Sequence, residues 1–160
     1  MINTVKIIFI AFSLIFVSSI GHADSSVESL SPELRALLGK EMRALEEGMQ
    51  SIITAYVSGN LEKVSNIAEK MKNSFILKQE ITNEQKHELV NKISKSFLRL
   101  DKKFHEYAGM LQHVAKERHI ELVGFYYYKL TEACVVCHSN FASHRFPKLK
   151  FDATKEGHNH

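Results

Sequence analysis

From Ser31 onward the chain is nearly free of residues that stop a helix: its two prolines are Pro32 and Pro147, and long stretches lack glycine. Proline removes a backbone donor and clashes with the preceding turn, so a proline-free run with apolar residues every three or four positions folds as helix. Ser31-Pro32 opens the first helix, an N-cap followed by proline at the one helical position that tolerates it. Its expected apolar stripe is Leu34, Leu38, Met42, Leu45, Met49, Ile52 and Tyr56, ending near Ser58-Gly59-Asn60. A second helix is predicted from Leu61 to about Phe75, burying Val64, Ala68 and Met71. The short turn between them makes the pair antiparallel. Thr82 and Gln85 form a capping box for a third helix, expected to run unbroken to about Glu117 on Val90, Ile93, Phe97, Leu100, Phe104, Ala108, Leu111 and Ala115. A fourth is predicted from about His119–Glu121 through Asn140. With 160 residues and 44% hydrophobic content, the chain can bury one core. The expected fold is all-α: an antiparallel up-down four-helix bundle over residues 24–147.

The two ends stand apart from this pattern. Lys6, the apolar run Ile7 to Ile20 and Gly21-His22-Ala23 before Asp24 read as a secretory signal peptide over 1–23. The run is shorter than the roughly 20 apolar residues a membrane span needs, so no membrane association is expected after its removal. The tail 148–160, with His158 and His160, has no periodicity and is expected to be flexible. Removing 1–23 takes one lysine and no acid from a formal charge of +3, leaving +2. Lysine and arginine alternate with glutamate along the helical segments, which argues against nucleic-acid binding.

The chemistry concentrates in Thr-Glu-Ala-Cys-Val-Val-Cys-His-Ser-Asn-Phe, Thr131 to Phe141, which contains both cysteines of the chain. On a helix Cys134, Cys137 and His138 share a face. Two thiols at this spacing can add to the two vinyl groups of a haem, and the adjacent imidazole can reach its iron; C-x-x-C-H is the attachment signature of haem c. A thioredoxin-like pair would sit at a helix N-terminus in a βαβ setting. A zinc site would need a fourth ligand beyond these three and His144, and a disulfide within one helical turn has poor geometry. Tyr127 and Leu130 fall on the motif's face and, with Phe141, are expected to line the haem pocket. The neighbouring Phe125, Tyr126 and Tyr128 cannot all be buried in one place. They suit interhelical packing or a surface for a dimer or docking partner.

An exported helical bundle with Cys-Val-Val-Cys-His-x-x-Phe on its last helix resembles the cytochrome c prime family. The resemblance covers about Ser31 to Pro147. It implies a periplasmic mono-haem protein, often dimeric, with one covalent haem c between the helices and an exposed haem edge. Cys134 and Cys137 match the thioether cysteines and His138 the proximal iron ligand. In the family's low-spin members a methionine of the first helix is the sixth ligand, which implies Met42; core packing is the other reading of that residue. His105 is an alternative distal ligand, a propionate partner or a partly exposed histidine. Gas-binding members carry a basic residue directly after the motif's phenylalanine, where this chain has Ala142, with Arg145 the nearest base. The expected function is therefore one-electron transfer with unidentified redox partner proteins. The alternative is a five-coordinate haem that binds nitric oxide or carbon monoxide. No distal His/Arg pair suits peroxide cleavage, so no catalytic residue is assigned.

Overall fold

A computed structural model describes residues 27–149; the expected signal peptide and nearly all of the expected tail, including His158 and His160, lie outside the described residues. Among the described residues six helices follow one another: α1 (Pro32–Val57), α2 (Leu61–Asn73), α3 (Leu77–Glu80), α4 (Asn83–Lys92), α5 (Lys95–Lys116) and α6 (Ile120–Phe141). Single 3-10 turns, Val27–Ser29 and Pro147–Leu149, flank them. No strand occurs among the described residues, and none of their helices is long and apolar enough to cross a membrane.

The caps behave as side-chain chemistry requires. Ser31 Oγ accepts from the Leu34 amide at 3.4 Å, and Thr82 and Gln85 complete their capping box at 3.2 and 3.1 Å. Gly59 takes φ +75° in the turn between α1 and α2, a conformation that costs glycine little.

The expected third helix is two helices. Ile93 is extended, at φ −89° and ψ 143°, and Ser94 caps a new helix by accepting from Phe97 N at 3.1 Å. The break turns α4 away, so Val90 is 56% exposed instead of buried on a shared stripe. Arg118 makes the turn into α6 at φ +60°. A non-glycine residue there left no glycine signal in the sequence.

α5 packs between α2 and α6; α1 lies along α2 and touches α6 more sparsely. The core is divided. An upper cluster joins Ile52 and Ala55 of α1, Leu61 to Met71 of α2, Phe104 to Ala115 of α5, and Val123 and Leu130 of α6. A lower cluster joins Leu30, Leu34, Leu38, Ile93 and Phe97. Met71, Leu111 and Leu130 have no measurable exposure, and each such side chain contributes about 1.5–3 kcal/mol of burial.

Between the clusters Glu41 is buried, with its carboxylate turned toward the α2–α3 connection. It accepts from Ser74 Oγ and Phe75 N at 2.9 Å each, from Ile76 N at 2.6 Å and from Leu77 N at 2.9 Å. These bonds hold a segment in which Ser74 adopts φ +65°.

Candidate functional site

The boundary between the two clusters falls at one level on three helices. On α1 the lower cluster ends at Leu38 and the upper one starts at Leu45; on α5 the corresponding residues are Leu98 and Phe104. On α6 the upper cluster ends at Cys134, and Cys137 belongs to the lower one. The Cys-x-x-Cys-His motif therefore straddles a seam in the core.

Residues at that level are less covered than mid-helix apolar positions normally are. Met42, one turn beyond Leu38, is 38% exposed, so it is not the packed core residue its stripe position predicted. Leu100, Cys134, Cys137 and His138 are only half-buried. Both thiols are free.

Their surroundings disfavour thiolate chemistry. Burial raises the Cys134 thiol's pKa, and burial together with the Asp101 and Cys134 charges pushes Cys137 up to about 11. A nucleophilic or redox-exchanging cysteine needs the opposite, a stabilised thiolate. No three His, Cys, Asp or Glu side chains among the described residues converge to hold a bare metal ion, so His144 does not complete a zinc site. His144 Nε2 instead lies 2.8 Å from Glu28.

His138 is held from a direction the sequence did not indicate. Its ring stacks on Phe146, with centroids 4.3 Å apart and planes 7° from parallel. After α6 the Arg145 and Phe146 amides both donate to the Ala142 carbonyl, at 2.9 and 3.0 Å, which folds Phe146 back over the helix end. Helical periodicity stops at Phe141, so no spacing rule linked the two aromatic residues. Burial first, then the Arg145 charge, lower the His138 pKa and favour the neutral imidazole, the form able to coordinate a metal.

The other candidates sort by position. Tyr127 packs on the upper cluster beside Leu130 and Cys134. Phe141 packs on the lower cluster with Cys137, its ring edge against Phe97 at 5.3 Å. His105 faces α2: its Nδ1 is 2.7 Å from the Met71 carbonyl and its Nε2 3.6 Å from Asp101. Both ring nitrogens thus have protein partners. Tyr126 packs toward Tyr107 of α5, while Phe125 and Tyr128 are 51% and 58% exposed.

No known family model, curated protein or solved structure matches the chain.

The donor set fits a covalent haem. Thioether formation leaves each sulfur neutral, as a low-polarity setting favours.

Proposed function

We propose that the chain is an exported, periplasmic mono-haem c-type cytochrome of the cytochrome c prime kind. In this reading its long helices form an antiparallel up-down four-helix bundle around one haem c. One observation carries the proposal: the Cys-x-x-Cys-His motif lies where the apolar core divides, with half-buried free thiols on α6 and Met42 exposed at the same level of α1.

Cys134 and Cys137 would hold the group through thioether bonds and His138 would be its proximal ligand. Bound there, haem c would supply a one-electron iron couple. Phe146 keeps the His138 ring plane fixed, and its stack covers one face of the imidazole. Tyr127, Leu130 and Phe141 would form the apolar walls. Met42 is the preferred distal ligand, because His105 already has Met71 and Asp101 as partners. With Met42 and His138 both holding the iron, little would rearrange on a redox change, which favours electron transfer; redox partner proteins would exchange those electrons.

The test is expression of the full chain with a c-type maturation apparatus. The purified protein should be coloured and heavier by one haem that survives denaturation, and Cys134→Ala/Cys137→Ala should abolish both properties. A colourless product of unmodified mass overturns the proposal. A ferrous spectrum with sharp α and β bands supports Met42 ligation. A broad high-spin spectrum that sharpens under carbon monoxide replaces electron transfer with gas binding.

A further inference from the structure

On α5 the residues opposite the buried face are Lys95, Arg99, Lys102, Lys103, Glu106 and Met110. Their spacing of three and four places them on one side of the helix over about 20 Å of its length. The four cations among them are exposed. Lys72 of α2 borders this face, its side chain lying over Gly109, and Lys129 of α6 borders it from the other side. Three carboxylates lie nearby against these six cations: Glu106 pairs with Lys102 at 3.8 Å, Glu132 with Lys129, and Asp101 lies 3.6 Å from His105. Although the chain as a whole is almost neutral, positive charge is concentrated here.

The face is also shaped. A shallow, open groove of about 670 Å³ is lined by Lys72, Lys102, Lys103, Tyr107 and Met110, with Glu106 the one acid among its lining residues. Tyr107 lies between two ammonium groups, Lys103 Nζ at 5.4 Å and Lys129 Nζ at 5.6 Å from its ring centre. With three lysines against one carboxylate on its rim and an apolar floor, the groove suits an acidic side chain flanked by an apolar one. Leu100 and Asp101, at the level of the core seam, lie directly beside Lys102 and Lys103 in the chain.

We propose that the outer face of α5 is a docking surface for an acidic protein partner, anchored in the Lys72–Lys102–Lys103–Tyr107 groove. Charge complementarity selects the occupant, and a patch of this length suits a weak, transient encounter. That the partner exchanges electrons rests on the cytochrome reading; the docking does not.

The probe is a Glu-rich helical peptide with one central leucine, titrated into the full-length purified protein and followed by amide chemical shifts. Shifts should concentrate at Lys72, Lys102, Lys103, Tyr107, Met110 and Lys129, and added salt should weaken the affinity by about tenfold. Lys102→Glu/Lys103→Glu should weaken binding by at least about tenfold, while the control Lys86→Glu/Lys63→Glu leaves it within about twofold. Absence of binding, equal loss in the control, or binding to phosphatidylglycerol vesicles but not to the peptide overturns the proposal. The mass of the same sample reports haem content, so a failed cytochrome reading and a failed docking surface are distinguished.

Discussion

At the scale of single residues, Glu41 shows how much one buried carboxylate can organise. Four donors converge on its two oxygens, and the segment from Ser74 to Leu77 has its orientation from them. Glu41→Gln keeps the shape but points an amide N–H₂ at N–H donors, so urea unfolding should report a loss of about 2–4 kcal/mol. His105 provides a pH test. The Asp101 carboxylate, 3.6 Å from Nε2, raises its pKa, opposed by burial and by the Lys78 charge and aided by the Met71 carbonyl. A raised folded-state value means that protonation favours the folded chain. The contribution is full below the unfolded histidine value of about 6.5 and is lost as pH rises through the higher folded value. His105→Gln should therefore destabilise the protein more at pH 6 than at pH 8.5 in paired denaturation curves; an equal loss at both would show that the imidazole acts only by packing.

At the scale of elements, close helix approach depends on what is missing. A Cβ built at Gly124 of α6 would lie 2.9 Å from Tyr56 Oη, which donates to the Ile120 carbonyl at 2.9 Å. In an open helix position alanine would gain about 1 kcal/mol over glycine. Here the insertion displaces the tyrosine and overpacks the α1–α6 contact, which costs about 1–3 kcal/mol. Gly124→Ala should therefore lower the thermal midpoint, and adding Tyr56→Phe should recover part of the loss. Between α1 and α4 the tie is polar. Glu88 accepts from Ser31 N at 2.7 Å, Ser31 Oγ at 2.8 Å and Lys92 Nζ at 2.9 Å, with Lys92 the largest cause of a pKa lowered to about 2. This tie should persist through neutral pH and be lost as acid protonates Glu88 between pH 4.5 and 2. Glu88→Gln should flatten the acid limb of the stability profile over that window.

For the molecule as a whole, the division of the core separates two demands on the α1 stripe. Met42 is exposed, so Met42→Ala should change the stability of haem-free protein by no more than about 0.5 kcal/mol. In the haem-loaded protein the same substitution should convert a low-spin ferrous spectrum toward a high-spin one. A large loss of stability without haem would mean that Met42 is a packing residue. The helical class, the Ser31 and Thr82 caps and the buried face of α2 were legible in the chain itself, because each depends on neighbours within about one helical turn. The capped break at Ile93-Ser94, the left-handed Arg118, the burial of Glu41 and the return of Phe146 onto His138 were not. Tertiary structure decided these, because a charge can be buried or a turn strained only where distant segments supply the donors and packing that offset the cost, and periodicity along one helix carries no information about those segments.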